Sequence, residues 1–497
     1  MGLNILLINP PILGIHSPFK LSPTPPLGLA LIATALEESG HNVTVLDTVA
    51  ESPNEVVFFK NNIEKIGLLD EEILSRVPPI TDIIGLSCMF SDNWLHTKLL
   101  INKLGETFDK AKIICGGEHF TALPKECLEE AKYLTAGVLG EGDEIVKNLV
   151  YHFENNIELE NCDGIAFKKK NKIFINKRRS RIKNIDDSKP PAWHLFPLNK
   201  YDIHNFSYGV NHSLTLPILA TRGCPYECTF CSSPNMWGRE YYMRTPDFVI
   251  NEMEFLNKKY KVNHFDFYDL TAILKRDWII EFCKKLISKN LNITWQIPAG
   301  TRAEVINFEV AELLFKSGCK KITYAPESGS SKVLKEIKKR VKLKAMLQSI
   351  KDSNKAGINV KLNMIIGFPK ETHLDIFKTW FFLIKCSWYG AYDALPGTFS
   401  AYPGTFLYNY LLSTEKIKYS DNYYYDVIKS SSITGSPNYS EKISKPFIKF
   451  YFWFLIFSFY FSNYIFRPIR ILKTLVNLIS RKYNSRAEQA LGRFLFR

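Results

Sequence analysis

Thr221-Arg222-Gly223-Cys224-Pro225-Tyr226-Glu227-Cys228-Thr229-Phe230-Cys231 packs three of the chain's ten cysteines into eight residues. The spacing C-x3-C-x2-C lets one loop offer three thiolates, enough for three corners of a four-iron cluster. The fourth iron then has no protein ligand, and an open metal position is what a reacting molecule needs. Structural zinc would want a fourth Cys or His nearby, and none lies close. Clustered thiols of this kind argue for metal ligation over a disulfide framework, hence for a reduced, intracellular compartment. The loop follows a strand-like apolar run over 216–221. Further strands are expected over 264–269, 293–299, 321–327, 360–368 and 395–402. Helical patterns over 245–260, 277–289, 303–317, 343–356 and 372–385 separate them. Six βα repeats predict a parallel barrel, full or partial and TIM-like, with its chemistry at the carboxyl ends of the strands.

Upstream, short apolar strands over 4–9, 42–47, 82–87, 112–116 and 137–139 alternate with helices, the first over 26–39. Continuous apolar strands mean that both sheet faces are covered, so a Rossmann-like, doubly wound parallel sheet is expected. Ligands of such sheets bind beyond the carboxyl ends of the strands. Asn9, Ser87, Gly116 and Gly117 with His119, and Gly140 with Glu141 fall there. The glycines would let a large ligand approach the backbone. A polar hairpin is expected over 163–176, then a basic and Pro-rich linker over 177–197. The chain therefore reads as α/β throughout: a sheet domain over 1–160, hairpin and linker over 161–205, a barrel over 206–410, and a helical extension over 411–497.

The cysteine loop, with Phe230 before its third Cys, closely resembles the signature of the radical SAM superfamily. Tyr268-Asp269, Gln296 with Arg302, the 325–330 stretch around Glu327, the 367–372 stretch from Gly367, and the 402–405 turn resemble the branch with an N-terminal cobalamin-binding domain. Pro25-Pro26-Leu27-Gly28-Leu29 and Gly116-Gly117-Glu118-His119 look like that domain. The branch includes cobalamin-dependent methyltransferases and the anaerobic Mg-protoporphyrin monomethyl ester oxidative cyclases. The resemblance implies three cofactors: a 4Fe-4S cluster on Cys224, Cys228 and Cys231, S-adenosylmethionine (SAM) on its open iron, and cobalamin. It implies SAM contacts from Phe230, Asp269, Arg302, Glu327 and Gly367. Corrin contacts would come from Asn9, Ser87, Gly116, Gly117, Gly140 and Glu141. The alternative for Glu327 is a carboxylate at a helix N-terminus, and Arg302 could equally be a solvated helix start. No D-x-H-x-x-G motif occurs, so no His is marked as a cobalt ligand, and His119 is expected as a hydrogen-bonding turn residue. The activity implied is methylation of an unactivated carbon. The alternative is oxidative cyclisation or rearrangement of a lipid-like or tetrapyrrole-like substrate. A flavodoxin or ferredoxin would supply the electron. An electron carrier without turnover is disfavoured, because such proteins saturate the cluster with four cysteines. Methylthiolation is disfavoured too, since a second N-terminal Cys set is missing.

The other seven cysteines are scattered and read as small core residues. Formal charge is +14, yet residues 441–497 hold eleven Lys/Arg against two Glu, more than half of the excess. That argues for a local basic surface and against a nucleic-acid partner. Residues 450–466 contain eleven aromatics and no charge. As a helix this run is about 25 Å long, short of a hydrocarbon core of about 30 Å. It suits a core helix, a helix lying in a membrane interface beside its basic neighbours, or, least well, a span. The N-terminus lacks the basic flank and cleavage site of a signal peptide. A cytoplasmic protein, with peripheral attachment at the inner membrane face as one reading, is expected.

Overall fold

The computed structural model describes residues 2–15, 23–53, 55–59, 63–178, 184–187, 189–203, 213–430 and 436–495. Parts of the expected linker, 179–183 and 188, lie outside them. The first half is built on strands β1 (Asn4–Asn9), β2 (Asn42–Asp47), β3 (Ile83–Ser87), β4 (Lys112–Gly116) and β5 (Leu134–Val138). They run parallel in the order β5-β4-β3-β1-β2. Alternation along β1 explains the layers. Ile5 and Leu7 enter one core with helix α1 (Leu27–Glu38), whereas Leu6 and Ile8 enter the other with helix α2 (Trp94–Thr107). Antiparallel strands β6 (Ile165–Lys169) and β7 (Lys172–Ile175) extend the β5 edge, as the polar hairpin required. Helices α3 (Glu118–Ala122), after β4, and α4 (Gly142–Glu154), after β5, start at the carboxyl edge of the sheet. A three-stranded antiparallel sheet from Ile12–Ile15, Val56–Phe58 and Ile63–Ile66 was not expected. Its Ile63–Ile66 strand carries Glu64 and Lys65 into the interior, which hides the apolar pattern; Lys65 pairs with Asp70 at 2.8 Å.

Six parallel strands form the second half in sequential order, an open arc and so a partial barrel. They are β8 (Thr215–Ile218), β9 (His264–Phe267), β10 (Thr294–Thr301), β11 (Cys319–Glu327), β12 (Asn359–Ile366) and β13 (Asp393–Thr398). The first strand is shorter than expected. Its Ala220 N–H turns to the Asp269 carboxylate, and Thr221-Arg222 pairs with Tyr242-Met243 instead. The helix expected over 303–317 is a 3-10 turn followed by a helix over Phe308–Lys316, because Asn307 caps a new N-terminus by accepting from Val310 N–H at 3.1 Å. Helices α5 (Ser233–Trp237), α6 (Ser331–Glu336) and α7 (His373–Tyr389) border the site.

Beyond β13, helix α8 (Asp421–Ser430) folds back onto the sheet domain, where Asp421 meets Lys98 at 2.6 Å. The aromatic run lies within a longer helix, α9 (Lys445–Phe466), which begins five residues earlier behind Ser444 with Pro446 in its first turn. Its Phe452, Leu455, Ile456 and Phe459 are buried against the barrel, while Phe457 and Phe461 face outward. No helix among the described residues is long and apolar enough to cross a membrane. Helices α10 (Ile469–Ile479) and α11 (Arg486–Leu495) end the chain.

Candidate cofactor site

The cysteine loop leaves β8 at its carboxyl end and is pinned from several sides. The buried Asp269 carboxylate accepts from Ala220 N–H at 3.1 Å and from the Thr221 hydroxyl. Burial pushes its pKa up to about 6. Thr229 N–H donates to Ile337 O at 3.0 Å, and Leu407 N–H donates to Thr229 O at 3.0 Å. Arg302 lies over the Tyr226 ring, 4.4 Å from its centroid, and pairs with Glu304 at 2.9 Å. Phe230 packs on Phe368 with centroids 5.7 Å apart. Asp269 and Arg302 thus hold the cysteine loop. Arg302 is not the solvated helix start considered from sequence: its side chain is only 14% exposed.

Cys224, Cys228 and Cys231 are partly exposed, whereas the other seven cysteines are buried, as expected of core residues. Among the described residues, no three His, Cys, Asp or Glu converge tightly enough to hold a single metal ion. Burial pushes all three thiols up, Cys228 to about 11. The Lys339 ammonium opposes this at Cys224 and Cys228, and the Ser233 hydroxyl, 3.2 Å from the sulfur, opposes it at Cys231. Lys339 was not singled out from sequence. It sits in the run Lys338-Lys339-Arg340, which reads as a solvated charge cluster, yet it is turned inward. Its Nζ lies 2.8 Å from Glu327 Oε1 and 5.9 Å from the Phe230 ring centroid. Glu327 ends β11 at φ +65°, a left-handed conformation rare for a residue with a side chain. Burial raises the Glu327 carboxyl and the Lys339 charge offsets it. Gly367 has φ +85° and donates its N–H to buried Glu371 at 2.6 Å; Ile448 of α9 packs over it. Burial pushes Glu371 up to about 8.

The carboxyl edge of the N-terminal sheet faces this loop. Arg222 reaches across to Asp143 at the start of α4 and lies 3.7 Å from Glu141. The Ser232 hydroxyl meets the Glu118 carboxylate on α3, and burial raises Glu118. Asn9 donates to Asp47 at 2.8 Å, and Tyr201 donates to the same carboxylate. Ser87 lies beside Gly116 in register. Two glycines have packing reasons that the sequence did not show. A side chain at Gly117, φ +121°, would strike the Cys88 carbonyl at 2.4 Å; one at Gly140, φ +77°, would strike the Arg178 guanidinium. Each glycine is therefore required by packing within the chain. His119 is the hydrogen-bonding residue anticipated: Nδ1 meets the Ser91 hydroxyl at 2.9 Å, with Trp94 and Tyr424 around the ring. Burial drives its pKa down to about 3. Glu118 Oε1 is buried with no hydrogen-bond partner. An acceptor so placed suits the side-chain amides of a corrin lying between the sheet edge and the cysteine loop, so the residues present fit cobalamin.

Comparisons with known proteins agree with this layout. The family model described as B12 binding domain matches residues 21–150, and the Radical SAM superfamily model matches residues 218–383. An uncharacterized methyltransferase of Pyrococcus horikoshii is 27% identical over 457 residues, covering 90% of this chain and 92% of that protein. The anaerobic magnesium-protoporphyrin IX monomethyl ester cyclase of Synechocystis is 28% identical, covering 70% and 66%. The structure of the radical SAM methyltransferase TsrM from Kitasatospora setae, with cobalamin and a [4Fe-4S] cluster bound, shares the fold at a TM-score of 0.65 and 17% identity, covering 83% of this chain and 75% of that one. The chain carries a B12-binding domain followed by a radical SAM domain, and is an enzyme that uses a 4Fe-4S cluster, SAM and cobalamin.

Proposed function

We propose that this enzyme methylates an unactivated carbon of a small-molecule or lipid-linked substrate, with Cys224, Cys228 and Cys231 as the cluster ligands. The observation that carries the reading is the juxtaposition of three partly exposed thiols with the sheet edge at Glu118 and Glu141, bridged by Arg222 and Ser232. When bound, the cluster and SAM supply a carbon radical and cobalamin supplies a transferable methyl group. The chain's own residues prepare the site. Asp269 fixes the start of the cysteine loop, Arg302 clamps Tyr226, and Lys339 places a positive charge beside the thiols and Glu327. Phe230, with Phe368 and Phe399 behind it, walls the loop with apolar surface and excludes water. Phe230, Asp269, Arg302, Glu327 and Gly367 are the proposed SAM contacts; Asn9, Ser87, Gly116, Gly117, Gly140 and Glu141 are the corrin-side ones. A flavodoxin or ferredoxin would deliver the electron, and the C-terminal helices would place the enzyme at a membrane surface. The cyclase relative favours one second reading, oxidative cyclisation. Anaerobic turnover with methyl-labelled SAM and cell extract separates them: label in the product supports methylation, whereas product formed without label supports cyclisation. Replacing Cys224, Cys228 and Cys231 together by Ala is expected to abolish reconstitution of the four-iron chromophore. Retention of that chromophore would overturn the ligand assignment.

A further inference from the structure

Helix α10 is amphipathic, but it is turned inside out. Ile469, Leu472, Val476 and Ile479 recur at helical spacing on one stripe and are 62–80% exposed. Leu478 is the one buried apolar residue of the helix. The same surface continues over two neighbours. On α9, Phe457 and Phe461 are 65% and 69% exposed; on the barrel helix α7, Phe377, Phe381 and Trp388 are more than half exposed. Tyr464 of α9 meets the Thr474 hydroxyl of α10 at 3.3 Å, and ring contacts join α9 to α7. Trp380 lies 5.0 Å from Phe377 and 5.5 Å from Phe454, and Trp388 lies 4.9 Å from Phe466. In all, thirteen large apolar side chains on α7, α9 and α10 are more than half exposed. They make a patch on the order of 1,000 Å², against the 300–600 Å² of an ordinary monomer.

The charges say what covers it. Neither α9 nor α10 contains an acid, and the single acid of α7, Asp375, is buried and bonded to Ser330 and Thr372. Exposed Lys473, Arg481 and Lys482 border the patch at α10, and Lys378 and Lys385 do so on α7. Arg467 and Arg470 do not contribute. Their guanidiniums donate to the carbonyls of Ser387, Trp388, Gly390 and Ala391, at and just beyond the carboxyl end of α7. A second copy on this face would bring like charges together in a two-fold interface. An anionic lipid surface meets both the apolar centre and the basic rim.

We propose that the outer faces of α7, α9 and α10 form one composite docking surface for an anionic bilayer, in which the protein lies without crossing. It rests on and deepens the proposed attachment of the C-terminal helices to a membrane surface, extending it from the tail to a helix of the catalytic barrel. The buried face of α9 carries Ile448, which packs on Gly367 at the end of β12. The bilayer would thus lie one helix away from the proposed SAM site. The test is flotation of the full-length holoenzyme with vesicles of phosphatidylcholine alone or with 30% phosphatidylglycerol. Flotation with the anionic vesicles, salt-sensitive and accompanied by a blue shift of tryptophan fluorescence, is expected. Leu472→Asp on α10 and Phe377→Asp on α7 should each weaken partitioning at least tenfold while leaving circular dichroism and the cluster absorption unchanged. No flotation of the wild type would overturn the proposal. So would a face that binds lipid but ignores Phe377→Asp, which would leave the tail alone as the anchor, or a face that instead forms a dimer lost in these variants. In each of those cases, incorporation of methyl label from SAM still reports separately on the methyltransferase reading.

Discussion

Lys339→Met tests how the site manages charge. The Lys339 and Glu327 side chains are 17% and 7% exposed, and their contact is 2.8 Å. Removing the ammonium leaves a buried carboxylate that must stay charged without its partner or take up a proton. At pH 7.5, protonating a carboxyl of ordinary pKa costs about 1.36 kcal/mol per unit over roughly three units, or about 4 kcal/mol. That is a ceiling, and it falls within the range of about 3–5 kcal/mol for breaking a buried pair. The cluster-free variant should therefore lose about 3–4 kcal/mol of unfolding free energy at pH 7.5. The sign of the pH dependence is set by the stranded acid. Its pKa is raised in the fold, so stability falls as pH rises above about 4.3 and the deficit shrinks to about 1–2 kcal/mol at pH 5. Lys339→Met/Glu327→Gln removes the stranded charge and should recover most of the loss. Urea denaturation of the three proteins at both pH values reads this out. A loss below about 1 kcal/mol at pH 7.5, an equal loss at pH 5, or a double variant no more stable than the single would refute the reasoning.

Arg222→Met leaves Asp143 and Glu141 without their cation at the contact between sheet domain and barrel. Denaturation should show a loss of about 3 kcal/mol, with the single transition splitting in two. Gly117→Ala sets a methyl group 2.4 Å from the Cys88 carbonyl at φ +121°; thermal unfolding should report a loss of roughly 2 kcal/mol or more. Glu371 is held protonated by burial, its pKa up to about 8, so the wild type loses stability as pH rises from about 4.5 to about 8. Glu371→Gln keeps a carbonyl acceptor for Gly367 N–H. It should match the wild type at pH 4.5 and exceed it by about 2–4 kcal/mol at pH 8.5 in the same assay.

Local information was enough for the strand-and-helix alternation, because each parallel strand carries its own apolar run and each barrel helix its own stripe. It was enough for the cysteine loop, whose three thiols lie within eight residues. The failures were of two kinds. The small antiparallel sheet escaped because Glu64 and Lys65 interrupt its buried strand, and the 303–317 helix divided because Asn307 offers a cap inside an apolar period. The second kind is more instructive. Lys339 sits in a basic run, and only the fold of β11 and α6 turns it towards Glu327 and the thiols. Gly117 and Gly140 have a packing role that the sequence did not show, because Cys88, Arg178 and Met236 approach them from other elements.

The aromatic tail shows the same division. Composition required residues 450–466 to bury apolar surface somewhere, and their length argued against a span. Which face meets the barrel and which meets solvent depended on α7 and β13, more than fifty residues upstream, and on Arg467 and Arg470 turning inward to cap α7. The elements and the cysteine loop were legible along the linear chain, because each rests on neighbours within a few residues. Which charges face the thiols, which glycines packing requires and which helix faces stay bare emerged from the folded molecule alone, because burial is a property of what packs from elsewhere in the chain.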